Sequence, residues 1–291
     1  MTDFAGYCRV EVADDQLGLT FPVAVLYPTH TPAATASVGL YTLEVAVGAP
    51  LKPGVFPLAL ISHGTGGSPL VYRTLAHHLA RHGFVVGLPE HPFNNRDNNT
   101  WAGTAQNLTA RPRHLQLAIN SLVGHPRFGA ALKPDAVALI GHSLGGYTAL
   151  ALAGGIPTSF PEESSDGQAR RIPTVADGRV RALVLLAPAT PWFLAPGALR
   201  EVQVPILLLE AEKDEHTPRG HGQIVLNGVL DQGQIEHRVV ENAGHFSFLS
   251  SFPEARVSPA FPPSQDPPGF DRERFQAELS AEVLAFLVRH V

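Results

Sequence analysis

Residues 138–150, Ala-Leu-Ile-Gly-His-Ser-Leu-Gly-Gly-Tyr-Thr-Ala-Leu, constrain the chain more than any other stretch, because they join two patterns that few junctions can reconcile. An apolar run enters Gly141-His142-Ser143-Leu144-Gly145, and an Ala/Leu-rich helical pattern leaves it. That is G-x-S-x-G between a strand and a helix. A serine hydroxyl is a weak nucleophile until its Oγ stands clear of the backbone, beside a base, with donors aimed at the oxyanion formed on attack. A sharp strand-to-helix turn meets the first condition, and glycines two residues either side of Ser143 remove the Cβ atoms that would collide as it closes. The N–H of Leu144, opening the following helix, is then the expected donor to the developing negative charge. The same five residues would also serve as a plain glycine-rich cap. The buried strand before them and the helix after them select the nucleophile.

At 291 residues and 44% hydrophobic, the chain has enough apolar material for one large α/β domain, expected to span residues 1–291. The 21 basic and 26 acidic residues, net −5, include no run of Lys or Arg that could track phosphates, which argues against a nucleic-acid partner. The N-terminus lacks a basic segment followed by an apolar one, and no stretch approaches the ~18 apolar residues of a membrane span. The expectation is a cytoplasmic protein. Its single cysteine, Cys8, has no partner for an internal disulfide and stands far from any Cys/His cluster. His77, His78 and His82 suggest a metal cluster, but only His78 and His82 share a helix face, so no metal is expected. No pattern in the sequence sets an oligomeric state.

Along the chain, Cys8, Val10, Val12 and then Phe21, Val23, Val25, Tyr27 alternate as two antiparallel strands would, forming one edge of a sheet. Thr29 to Ser37 reads as a surface loop. Leu58 to Ile61, Phe84 to Leu88, Ala136 to Ile140, Ala182 to Ala187, Pro205 to Glu210 and Ile235 to Val240 read as strands, most of them short, apolar and buried on both faces. Helices are expected over Leu70–His82, around Leu115, Ile119 and Leu122, after Ser143, and from Phe275 to His290. Strand and helix alternate from residue 58 onward. The fold class is therefore α/β, a mostly parallel sheet with helices on both faces and an antiparallel N-terminal edge. Residues 156–179 read as a lid-like insertion. The proline-rich stretch 250–270 is either a stiff wall of the substrate site or a surface linker.

A serine nucleophile needs a base, and the base needs a partner that fixes its tautomer. Asp214 follows the strand ending at Glu210 and is the expected acid, with Glu210, Glu212 and Glu215 as rivals. His245 follows the last strand, after Gly244, and is the expected base; His216, His221 and His237 are worse placed. The cluster Ser62-His63-Gly64-Thr65-Gly66-Gly67 supplies a second oxyanion donor, assigned to the Thr65 N–H, while His63 is structural. Trp192 and Phe252 are candidate walls of the substrate pocket.

With these residues placed, the chain resembles the α/β-hydrolase superfamily from about residue 10 onward. Ile61-Ser-His-Gly-Thr-Gly-Gly, Ala80-Arg-His-Gly-Phe-Val-Val, Pro89-Glu-His-Pro and Gly141-His-Ser-Leu-Gly-Gly-Tyr look like bacterial dienelactone-hydrolase-like proteins related to platelet-activating-factor acetylhydrolases. The resemblance implies hydrolysis of a small-molecule carboxylic ester through an acyl-enzyme, with no metal and no organic cofactor. A thioesterase, lactonase or amidase would use the same triad, and an inactive binding module would keep only the fold. Two departures are visible: Ser143 stands where dienelactone hydrolases carry cysteine, and Ala187-Pro-Ala-Thr190 has no carboxylate where the acetylhydrolases place their acid.

Overall fold

Neighbouring residues of the central strands feed two different cores. Leu58 and Leu60 pack into one apolar cluster while Ala59 and Ile61 pack into another, and the same alternation holds for Val137 and Leu139 against Ala138 and Ile140. Side chains on a strand point alternately to opposite faces, so a continuously apolar strand requires both faces to be covered. The computed structural model, which describes residues 3–291, shows what covers them.

Ten strands are described: β1 Phe4–Asp14, β2 Leu19–Thr29, β3 Ala34–Val38, β4 Tyr41–Val47, β5 Phe56–Ser62, β6 Val85–Pro89, β7 Leu132–His142, β8 Val180–Leu186, β9 Ile206–Ala211 and β10 Ile235–Val240. They form one sheet in the order β10-β9-β8-β7-β5-β6-β2-β1-β4-β3. From β6 to β10 every pairing is parallel, whereas β2 pairs antiparallel with both β6 and β1. Helices α1 (Arg73–Arg81) and α5 (Arg272–His290) cover one face through Leu75, Leu79, Leu279, Val283 and Phe286. Helices α2 (Ala105–Val123), α3 (Leu144–Leu152) and α4 (Gly220–Gly228) cover the other through Leu115, Ile119, Leu150 and Val225. No helix among the described residues is long and apolar enough to cross a membrane.

The N-terminal hairpin forms as expected, but it is not the sheet's edge. The stretch expected to be a loop from Thr29 to Ser37 contains most of β3, and β3 and β4 extend the sheet beyond β1. Tyr41, Leu43 and Val45 are buried while Thr42 and Glu44 are exposed, a period of two that the surrounding Pro, Gly and Thr obscure. The helix expected from Leu70 to His82 begins with a 3-10 turn over Pro69–Tyr72. Helix α4 is an addition to the expected elements; its glycines give it little helical propensity.

Helix α2 runs through Pro112, whose missing N–H leaves the carbonyl of Leu108 without its helical donor. The hydroxyl of Tyr147, on α3, donates to that carbonyl at 3.0 Å. A fully buried tyrosine thereby satisfies the break and ties α2 to the helix that begins at Ser143.

Candidate active site

Ser143 occupies the junction between β7 and α3 with φ 55° and ψ −123°, a conformation that non-glycine residues adopt only where their surroundings enforce it. Backbone hydrogen bonds enforce it here. The Ser143 N–H donates to Leu186 at 3.0 Å, and its carbonyl accepts from Gly146 at 2.9 Å and Ala189 at 2.8 Å. A Cβ on Gly141 would land on the carbonyl oxygen of Gly145, and one on Gly145 would land on that of Ser62. The glycines of the motif are thus demanded by backbone contact. Gly145→Ala is expected to destabilise the protein by about 3 kcal/mol, the upper range for overpacking, because the obstruction is backbone and cannot rotate away. Urea denaturation measures this; a loss below about 1 kcal/mol would mean the turn has slack.

Asp214 and His245 arrive from the ends of β9 and β10, at the same carboxyl edge of the sheet. His245 Nδ1 donates to Asp214 Oδ2 at 2.8 Å, and both side chains are almost fully buried. The other carboxylate oxygen, Oδ1, accepts the N–H groups of His216 at 2.8 Å and Thr217 at 2.7 Å. The Thr217 hydroxyl donates to Oδ2 at 2.8 Å. Burial alone would raise the Asp214 pKa, but hydrogen bonds from His245 and Thr217 and the charge of His245 outweigh it and hold the carboxyl well below the usual carboxylate range. The rivals lie elsewhere: Glu210 bonds His237, Glu212 accepts the Asn242 N–H, and Glu215 is exposed.

Thr65 follows β5 and stands in the loop that abuts the serine: a Cβ added to Gly64 would lie 3.5 Å from Ser143 Oγ. Among the described residues, neither the Thr65 N–H nor the Leu144 N–H has a hydrogen-bond partner within the chain. Both residues line the cleft that contains Ser143 and His245. His63 is fully buried, with Nδ1 donating to Gly64 at 2.7 Å and Nε2 accepting the His91 N–H at 3.1 Å. Burial, followed by the nearby Arg111 charge, lowers its pKa to about 3, so it is a neutral brace.

The cleft encloses about 450 Å³. Trp192 and Phe252 both line it. The segment 156–179 reaches it through Glu163, whose carboxylate accepts the Trp192 indole N–H at 2.9 Å. The segment 250–270 is tethered: Arg272 donates to the carbonyls of Pro263 at 2.9 Å and Gln265 at 3.0 Å, and Phe252 packs edge-on against Phe261 at 5.2 Å. Away from the cleft, His78 and His82 stack at 4.2 Å, and no group of three or more His, Cys, Asp or Glu among the described residues is placed to hold a metal ion.

The chlorophyllase family model matches residues 41–160, a span that includes the Thr65 loop and Ser143 but neither Asp214 nor His245. No curated protein sequence matches the chain. Among solved structures, a ferulic acid esterase from Streptomyces cinnamoneus superposes with a TM-score of 0.69 at 19% identity, over 99% of this chain and 90% of that one. The fold is that of the α/β-hydrolases. A dienelactone hydrolase-like promiscuous phosphotriesterase from metagenomic libraries gives a TM-score of 0.59 at 15% identity over 98% of this chain and 99% of its own. A dienelactone hydrolase from Anabaena variabilis gives 0.58 at 16% identity, with both chains covered fully at 100%.

Ser143, Asp214 and His245 follow one another in the chain order that an α/β-hydrolase fold uses for a nucleophile, an acid and a base. Several residues around them escape a reading of the sequence. His142, inside the G-x-S-x-G motif, donates from Nε2 to the His245 carbonyl at 2.9 Å and accepts the Tyr72 hydroxyl at Nδ1 at 2.9 Å. Burial lowers its pKa to about 3, so it holds the His245 backbone as a neutral imidazole. A histidine beside the serine is the one signal the sequence offers for it. Thr217, three residues after Asp214, has none. His216 lines the cleft with its ring 4.8 Å from that of His245, close to the site although its sequence position argues against it as the base.

Proposed function

We propose that the chain is a single-domain serine hydrolase that cleaves carboxylic esters through an acyl-enzyme. The observation that carries this reading is the buried His245–Asp214 pair opening into the same cleft as a Ser143 held at positive φ. His245 takes the Ser143 proton as Oγ attacks the ester carbonyl; Asp214 stabilises the imidazolium; the N–H groups of Thr65 and Leu144 bind the oxyanion. The imidazolium then protonates the departing alkoxide, and a water activated by His245 releases the acid. The matched chlorophyllase model and the ferulic acid esterase neighbour support ester cleavage over amide cleavage.

The cleft walls favour a compact hydrophobic acyl group. Trp192 packs edge-on against Tyr147 at 5.0 Å, and Phe252 faces the cleft beside Phe261. Incubation with a fluorophosphonate probe, followed by a panel of p-nitrophenyl esters of increasing chain length, tests the whole reading. Stoichiometric labelling at Ser143 and turnover of short and medium esters are expected; an unlabelled, inactive protein would make the fold a binding module. In the same panel, Trp192→Ala and Phe252→Ala are expected to change the relative kcat/KM of neighbouring chain lengths by a factor equivalent to roughly 1–3 kcal/mol for each substrate methylene that no longer packs against an aromatic ring. Equal scaling of all esters would remove these residues from the pocket.

A further inference from the structure

Among the described residues Arg111 is the largest fully buried side chain, 0% exposed, and its charge has no carboxylate partner. Its guanidinium donates to Asn94 Oδ1 at 2.6 Å, Thr148 Oγ1 at 2.9 Å, the Ser62 hydroxyl at 3.4 Å and, closely, the His63 carbonyl. Every one of these acceptors is uncharged. Among the described residues no carboxylate pairs with it; Asp14, on β1, is taken by Arg113. The imidazoles around it, His63, His91 and His114, are held neutral by burial first, with the Arg111 charge acting in the same direction. A buried cation without a counterion is costly, so an isolated structural role is a poor account of it.

The acceptors share a location. His63 directly precedes the Gly64-Thr65 loop, and Asn94, oriented by Arg111 through its Oδ1, donates from Nδ2 to Thr65 Oγ1 at 2.9 Å and to Asn99 Oδ1 at 2.7 Å. The Gly64 carbonyl is fixed separately, by His63 Nδ1. The loop is therefore tied at the His63 carbonyl, the Gly64 carbonyl and the Thr65 hydroxyl, two of these ties running to one guanidinium, while the Thr65 N–H stays unpaired among the described residues.

We propose that Arg111 is the positioning residue of the oxyanion loop, fixing the His63 carbonyl directly and Thr65 through Asn94, and that its unneutralised charge favours the negative charge developing at that loop. The proposal rests on the ester-hydrolase reading above. Donors held in place before reaction, in a site of low dielectric, stabilise the transition state more than the bound ester, so the effect belongs to kcat and leaves KM largely alone. A fork-shaped group is needed to hold two acceptors in a fixed geometry, and an ammonium carries the charge without the fork.

The test compares Arg111→Gln, Arg111→Lys and Asn94→Asp with the fluorophosphonate-reactive wild type. It reads kcat and KM on p-nitrophenyl acetate, affinity for an alkyl boronic acid that forms a tetrahedral adduct on the serine, and thermal stability. Arg111→Gln is expected to lower kcat and boronate affinity in parallel by about 10- to 100-fold, somewhat less than loss of an oxyanion donor itself. KM should move by less than about threefold, and Arg111→Lys should fall between the two. Asn94→Asp keeps the shape, gives Arg111 a carboxylate partner and removes the donor to Thr65. It is expected to fold at least as stably as wild type and still lose kcat and boronate affinity, and it decides the matter if Arg111→Gln does not fold. Folded Asn94→Asp with wild-type kcat and boronate affinity would overturn the proposal, as would an Arg111→Gln that loses stability alone. Failure of the hydrolase reading is distinguishable, because it would appear as an unlabelled, inactive wild type.

Discussion

Ser143→Ala is expected to lower kcat for p-nitrophenyl esters by about 10⁵- to 10⁶-fold while leaving the protein folded, since members of a triad act as a unit and only binding and oxyanion stabilisation survive the loss of one. The structure separates the two effects. The turn is fixed by the Ser143 N–H, its carbonyl and the flanking glycines, all of which alanine retains. Among the described residues the Ser143 hydroxyl makes no hydrogen bond, and alanine meets the same positive φ as serine. Steady-state assays should therefore show a nearly dead enzyme with an unchanged thermal transition. A variant within tenfold of wild type would relocate the nucleophile, and one that is inactive because it does not fold would leave the strain at φ 55° as the dominant effect of the position.

Short-range patterns that carry a single physical demand are legible in the sequence. The apolar strands around Leu58, Leu139, Val184 and Leu208 read as buried on both faces, and the glycines around Ser143 read as a tight strand-to-helix turn, so the parallel sheet and the turn are legible. Asp214 and His245, expected after that turn among several rivals, are the carboxylate and imidazole that the fold pairs at 2.8 Å. What the sequence conceals depends on long-range complementarity. Residues Ala34–Val38 look like loop composition because the strand they form is short, polar and at the sheet's edge, paired through β4 alone. Arg111 reads as one more basic residue on a helix; only folding sets it against the carbonyl of His63, 48 positions away in the chain. His142 bonds the His245 carbonyl and Thr217 bonds the Asp214 carboxylate that pairs with its ring, and neither residue type at those positions announces it.

Asp214→Asn should cost about 10⁴-fold in kcat, because the hydrogen-bond pattern around the carboxylate dictates how an asparagine must sit. The N–H groups of His216 and Thr217 both point at Oδ1, so the amide oxygen takes that place and the NH₂ takes the place of Oδ2. That NH₂ then faces His245 Nδ1, which now receives a donor where it had donated at 2.8 Å. The imidazole proton moves to Nε2, the nitrogen that should be free to take the serine proton. The Thr217 hydroxyl, no longer able to donate to that position, can turn its one proton to the Ala187 carbonyl 3.1 Å away, so the variant can fold around the wrong tautomer. Stability carries a second signature. Folding lowers the Asp214 pKa from its ordinary value of 3.8, so the carboxylate stabilises the native state above that value, and this contribution disappears as pH falls through the folded pKa. The stability gap between wild type and Asp214→Asn should therefore be widest near neutrality and narrow in acid, as followed by denaturation at stepped pH. Glu212→Gln and Glu215→Gln should leave the rate unchanged, since neither side chain reaches His245. If either of them matches the loss expected of Asp214→Asn, and Asp214→Asn itself retains its rate, then the acid belongs to another carboxylate of the same turn and the pair buried at 2.8 Å is structural.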